Sequence, residues 1–314
     1  MGNTRGNNMG KIFIVLALFA KTVFGGQVGS QFQKIDYKRI YKQHSQQLDS
    51  LIENTVLINV NTLNSKVTRG TGFYIGKHKG NHIFITNHHV MSKSQCDKAI
   101  ISFINKSGTT TKADCDQILL AHSSAEHSDI TIFTIPEKQL AGFVGKGLTI
   151  DWNFKLESKV KLAIAGFGAK LSRVGRVDNQ RILRSFRMRL NYDSDCVTLN
   201  AKIYYMTPFN VGDTFIIGCD AIGGDSGSAV IERSTGKVVG LLWGASDKGT
   251  VSSKVLWKEL IGTSDPRLFS NSSRAILLKR LKPELESIGV QGIQSKEASF
   301  EAPLIENKIN LLLE

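Results

Sequence analysis

Long apolar runs, cysteine and acidic residues are all scarce in this chain of 314 residues. The longest unbroken apolar stretch is Ile12–Ala20, which as a helix would cover about 14 Å of a hydrocarbon core roughly 30 Å thick. No transmembrane helix is expected. Four cysteines are too few for a disulfide-only scaffold. No CxxC is present, and His78 and His82 belong to no HExxH, so neither a metal nor another cofactor is expected. The shortage of acids, 27 against 40 basic residues, leaves a net charge of +13. That surplus permits contact with anionic surfaces but carries no information about fold. No internal repeat is visible. A composition 41% hydrophobic and 21% charged is that of an ordinary folding chain and excludes disorder.

What the chain does contain begins with a leader. Arg5 and Lys11 precede the apolar stretch, no acid occurs before Asp36, and Gly25 and Gly26 follow it. This is the layout of a secretory signal peptide over residues 1–25, and its removal would lower the charge to +10. Export, to the medium or the periplasm, would permit disulfides. Residues 26–54 read as a helical or extended lead-in, or as a propeptide.

Beyond residue 54 the pattern changes to short β-rich runs separated by Gly, Asn, Asp and Ser. Strands are expected at Thr55–Val60, Gly72–Ile75, His82–Thr86, Ala99–Ile104, Ile130–Ile135, Val160–Gly166, Ile182–Leu190, Val197–Met206, Thr214–Gly218, Ser228–Ile231 and Val238–Trp243. With no amphipathic helices between them, βαβ units are excluded and antiparallel barrels or sandwiches remain. So many strands with such short connections favour two small barrels over one. The spacing of Leu277, Leu278 and Leu281 behind Ser272 or Ser273 predicts a helix over Ser272–Glu286. Residues 291–314 carry no motif.

Three local patterns carry chemistry. Gly223-Gly224-Asp225-Ser226-Gly227-Ser228 places a serine between glycines and leads directly into an apolar strand. A serine hydroxyl is a weak nucleophile until a base removes its proton and N–H groups stabilise the resulting oxyanion. Flanking glycines let the amides of Gly224 and Ser226 converge on one point. A base is available in Thr86-Asn87-His88-His89-Val90, where a strand ends in two histidines. A carboxylate stands at the head of Asp129-Ile130-Thr131-Ile132; if buried it needs a partner, and an imidazole N–H would serve.

Taken together, these segments resemble the trypsin/chymotrypsin-like serine peptidase family, in the order His, Asp, Ser. The matching motifs are Thr86–Val90, Asp129–Ile132 and Gly224–Ser228. Gly166-Phe167-Gly168 is similar to the turn that opens the family's second barrel, and Val238–Gly244 to its substrate-facing strand. The resemblance covers about residues 51–262 and is closest in style to the secreted bacterial branch that includes glutamyl endopeptidases. It implies an all-β fold of two six-stranded antiparallel barrels with a C-terminal helix. The barrels are expected at 55–145 and 146–262, with helix and tail at 263–314. It also implies a catalytic triad of His89, Asp129 and Ser226, an oxyanion hole from the amides of Gly224 and Ser226, and a protein or peptide substrate.

The resemblance places Asp220, Ala221, Leu242, Trp243 and Gly244 around the substrate. Asp220 stands where the trypsin branch binds a P1 Arg or Lys, although bacterial members carry an Asp there without that preference. A glutamyl preference is disfavoured, because Leu242 and Ala221 replace that branch's polar groups. Four cysteines allow three pairings; chain order and β-pattern favour Cys96–Cys115 and Cys196–Cys219 over the crossed alternatives. In this family a freed N-terminal amine often pairs with the Asp beside the nucleophile, here Asp225, which would make the chain a zymogen. Arg173, Arg176, Arg181, Arg184, Arg187 and Arg189 read as one solvated strand face. No aromatic interleaving supports a nucleic-acid partner, and a monomer is expected. Two alternatives stand beside the protease. One is a catalytically silent homologue that binds protein through the cleft. The other is a periplasmic quality-control protease, for which the residues after 262 are fewer than a PDZ module needs.

Overall fold

The structure, a computed structural model, describes residues 33–34, 45–61, 67–104, 110–124, 128–168, 188–192, 194–199, 201, 203–206, 211–244 and 272–289. The leader, residues 291–314 and most of the expected strand Ile182–Leu190 lie outside them. Fifteen strands are described: β1 (Gln33–Lys34), β2 (Thr55–Asn61), β3 (Val67–His78), β4 (Asn81–Thr86), β5 (Ala99–Ile104), β6 (Thr110–Asp114), β7 (Gln117–His122), β8 (Ile130–Pro136), β9 (Leu162–Gly166), β10 (Arg189–Asn191), β11 (Tyr204–Met206), β12 (Val211–Ile217), β13 (Ala229–Glu232), β14 (Val238–Gly244) and β15 (Ser273–Leu277). Two helices accompany them, α1 (Gln46–Glu53) and α2 (Lys282–Ser287).

The strands form two antiparallel sheets. The first runs β6-β5-β2-β3-β4-β8-β7 and the second β1-β10-β9-β13-β14-β15-β12-β11. The all-β expectation is met, with seven and eight strands among the described residues instead of six each. The extra strands are mostly short and lie toward the sheet edges, where weak local patterning left them invisible in sequence. Central strands are legible because both faces are buried and the runs are continuously apolar or β-branched. Thus β4 and β8 are buried almost throughout. They pair along their length, Phe84 opposite Phe133 and Thr86 opposite Thr131.

Two expectations need correction. The segment Ser272–Glu286 is not one helix: Ser273–Leu277 is a strand between β12 and β14, followed by a single 3-10 turn and then α2. Burial explains the difference, since all five residues of β15 are buried and the strand satisfies its backbone on both sides, overriding the leucine spacing. Pro283 opens α2, where its missing N–H costs nothing. The long strand expected at Val197–Met206 is instead two isolated bridges, at Val197 and Thr198, and the short β11.

Each sheet has its own apolar cluster, one around Phe84, Phe103 and Phe133 and one around Phe215, Val230 and Leu277. A third spans the two sheets. It joins Ile75 and Ile83 of the first to Ala163 and Ile231 of the second, and α1 contributes Leu48, Leu51 and Ile52. Disulfides Cys96–Cys115 and Cys196–Cys219 are both formed.

Candidate active site

The β4–β8 register builds the first half of the site. Because the strands are antiparallel and Thr86 pairs with Thr131, the chain leaving β4 arrives beside the chain entering β8. That geometry brings His89 to Asp129. Asp129 is 3% exposed and takes two bonds from the histidine: the His89 backbone N–H at 2.9 Å and the ring Nδ1 at 2.6 Å. Asn87 donates through Nδ2 to the Asp129 carbonyl at 2.8 Å. Thr131 ties the same turn down through its hydroxyl on the Met91 carbonyl. With Nδ1 donating its proton to the carboxylate, Nε2 is the acceptor nitrogen. His89, not its half-buried neighbour His88, therefore carries the partnered ring, and its side chain is 48% exposed on the side away from Asp129.

The second half is the loop between β12 and β13. Gly224 and Gly227 have φ of 98° and 90°, in the region that glycine enters without steric cost. Between them Ser226 is half-buried. One residue of the first sheet docks this loop. Thr71 of β3 donates its backbone N–H to the Ser226 carbonyl at 2.8 Å and its hydroxyl to the Gly224 carbonyl at 2.8 Å. Its hydroxyl oxygen also accepts from the Phe167 N–H at 2.9 Å, and its carbonyl accepts the Thr86 hydroxyl at 2.6 Å. At Gly227 a Cβ would stand 1.9 Å from the Thr71 carbonyl oxygen, so the loop meets the other sheet where no side chain fits. Sequence reading missed Thr71. Its only signal was the glycine on each side.

Asp225, beside Ser226, is 4% exposed. Its Oδ2 accepts from the Ile222 N–H and from Arg189 Nη2, each at 2.9 Å. Burial pushes this carboxyl above its ordinary value, while the Arg189 charge and the amides of Ile222 and Gly168 act against that. A Cβ at Gly168 would fall 1.8 Å from Arg189 Nη2, which explains the Gly166-Phe167-Gly168 string: it leaves room for this pair. Arg189 is thus no part of a solvated arginine face; its side chain is 12% exposed, and the other five arginines lie outside the described residues. The cationic partner expected from a freed N-terminus is supplied here by β10.

The residues expected around a substrate lie on two segments, and a third joins them. Leu242 exchanges backbone bonds with the Ser226 loop, its carbonyl accepting from Gly227 and its N–H donating to Ser228, so the end of β14 flanks Ser226. Asp220 and Ala221 are buried, and the Asp220 N–H is bonded to Asn191 Oδ1. The third segment, the start of β15, was not foreseen. Ser273 donates to the Cys219 carbonyl at 2.7 Å, and Arg274 pairs with Gly244.

Among solved structures, the chain is similar to the Rv3671c protease from M. tuberculosis in its active form (TM-score 0.51, 15% identity, 88% of this chain and 94% of that one). A scabies mite inactivated protease paralogue, S-D1, matches with TM-score 0.51 at 11% identity over 82% of this chain and 95% of that one. HL collagenase matches with TM-score 0.50 at 11% identity over 76% and 95%. At such identities the likeness establishes the chymotrypsin-like fold. No curated protein matches by sequence. The family described as "Trypsin-like peptidase domain" matches residues 70–241, a span that contains the His89–Asp129 pair and the Ser226 loop. With that match over more than half its length, the chain belongs to the trypsin-like peptidase family.

Proposed function

We propose that the chain is a serine endopeptidase that cleaves peptide bonds through an acyl-enzyme on Ser226. The observation that carries this reading is the hydrogen bond from His89 Nδ1 to the buried Asp129 at 2.6 Å, which turns Nε2 into a base at the end of the strand facing the serine loop. His89 Nε2 takes the proton from Ser226 Oγ as the oxygen attacks the scissile carbonyl, and then gives it to the leaving amine. Asp129 fixes the tautomer and stabilises the imidazolium. The amides of Gly224 and Ser226 receive the oxyanion. Water, deprotonated by the same histidine, releases the acyl group and regenerates the serine.

The kinship to an inactivated paralogue means that the fold alone does not decide between an enzyme and a silent binding module. The assembled His89–Asp129 pair favours the enzyme. An exported location, secreted or periplasmic, belongs to the same proposal and is supported by the leader pattern and by two disulfides. A monomer acting on protein or peptide substrates belongs to the same proposal. Retention of the lead-in from α1 onward belongs to it too, and is supported by Leu51, fully buried in the apolar cluster that spans the two sheets. The test is covalent labelling of the purified protein by a fluorophosphonate, with hydrolysis of a protein substrate alongside. Ser226→Ala should abolish labelling and lower turnover by several orders of magnitude; hydrolysis unchanged in that variant would sink the proposal.

A further inference from the structure

The lead-in contributes a strand to the second sheet. β1 (Gln33–Lys34) lies at the sheet edge against β10, with Lys34 opposite Arg189 and Gln33 opposite Leu190. On its other side β10 pairs with β9, Arg189 opposite Gly166. Arg189, the cation that meets Asp225, thus opens a three-residue strand clasped between β9 and the lead-in. The chemistry above leaves that clasp without a role.

From the clasp a short series of contacts leads to the amides beside Ser226. Arg189 Nη2 donates to Asp225 Oδ2 at 2.9 Å, and the same oxygen accepts the Ile222 N–H at 2.9 Å. The Asp225 N–H returns a bond to the Ile222 carbonyl at 3.0 Å, so Ile222 and Asp225 close a turn around Gly223 and Gly224. A Cβ at Gly223 would meet no atom within 4 Å. Packing does not hold the loop there; this closure does, as Thr71 does at the Gly224 carbonyl. Both side chains of the Arg189–Asp225 pair are largely buried, so losing the contact leaves an uncompensated charge inside the protein and displaces the turn that depends on it.

Resting on the peptidase reading, we propose that β1 is a built-in activating strand: paired on β10, it holds Arg189 on Asp225 and so keeps the Gly224 and Ser226 amides in place, and without it turnover falls. A three-residue strand paired along one edge only is weakly held, and a strand laid along its other edge supplies a second row of backbone bonds. The order expected of a zymogen is thereby inverted. No N-terminal amine has to be freed to meet Asp225, because Arg189 already does. A cut that releases residues up to Lys34 removes activity instead of creating it. β1 acts only by positioning, through β10 and Arg189, so turnover responds to it and substrate binding does not.

The experiment starts from the full purified chain, labelled with a fluorophosphonate, and reads the N-terminus of the labelled species by intact mass and sequencing. Labelled protein should still carry Gln33 and Lys34. A labelled species that begins after Lys34 would overturn the proposal, and this measurement needs no variant to fold. The second arm is the double substitution Gln33→Pro with Lys34→Pro, which removes both N–H groups of β1 and bars it from the ladder. Its kcat on a peptide substrate should fall about 10- to 100-fold, with KM within about twofold of wild type. In an Arg189→Met background the same prolines should change kcat by less than about twofold, since the strand then has no arginine to hold. In Arg189→Lys, which keeps the charge, the response should persist. Unchanged kcat in the proline variant, a rise in KM in its place, or an equal loss in the Arg189→Met background would each overturn the proposal. Absence of Ser226-dependent labelling in every form would overturn the hydrolytic reading itself and this proposal with it; labelling that is indifferent to β1 removes the activating strand alone.

Discussion

Arg189 and Thr71 each do through a few atoms what no local motif announces. Arg189 is the charged partner of Asp225 at 2.9 Å, and the carboxylate is buried on the turn that carries Ser226. Arg189→Met should cost about 3–5 kcal/mol, because it leaves a buried charge alone. Denaturant unfolding measures the loss, and adding Asp225→Asn should recover part of it. Thr71→Val removes a bond to the Gly224 carbonyl and one from the Phe167 amide. At about 1 kcal/mol for each bond we expect about 2 kcal/mol less stability and a lower kcat, with Thr71→Ser close to wild type. Equal kcat in the valine variant would show that the loop is held without it. The His89–Asp129 pair and the Ser226 loop were legible because each residue sits in a recognisable string. Arg189 was not, because the sixth arginine of an arginine-rich run looks the same whether it faces water or a carboxylate 36 residues away.

At the scale of elements, the legible strands are those with continuous β-branched and aromatic runs. The β4–β8 pair is the best case, and it carries a passenger. His82 of β4 is 6% exposed among Tyr74 and Phe143, with ring centroids 5.0 and 6.1 Å away. Burial, aided by the charge of Lys77, lowers its pKa from 6.5 to about 4. The sign follows from linkage: the folded state prefers His82 neutral, while the unfolded chain takes up a proton below pH 6.5. Its contribution is therefore fully present above pH 6.5 and is lost as pH falls through about 4. Over that range the loss is about 3 kcal/mol. Substituting His82→Phe should remove this acid sensitivity. Unfolding midpoints of both proteins at pH 7 and pH 4 test it, and a gap that does not widen toward acid would refute it. β15 was illegible for the opposite reason, since its SRAIL sequence suits a helix equally well and only pairing on both edges makes it a strand.

At the scale of the whole molecule, the site exists only where two sheets meet. The first sheet supplies His89 and Asp129, the second supplies Ser226, and Thr71 and Gly227 make the contact between them. Gly227→Ala would drive a methyl to within 1.9 Å of the Thr71 carbonyl oxygen. The loop would have to move, and a displacement near 1 Å at reacting atoms costs about 100-fold in kcat/KM. Steady-state kinetics beside thermal unfolding should show activity falling well before the fold is lost; wild-type kcat/KM would show that the sheets do not position the serine. By itself the sequence determined the β-rich architecture, the strings that carry His89, Asp129 and Ser226, and the favoured cysteine pairs, because strand periodicity, turn residues and flanking glycines act within a few positions of one another. Only the tertiary structure decided which cation meets Asp225, which strand wedges between β12 and β14, and which residue of the first sheet docks the Ser226 loop. These are contacts between segments far apart in sequence, fixed by sheet register and burial and not by any pattern that a neighbouring residue can carry.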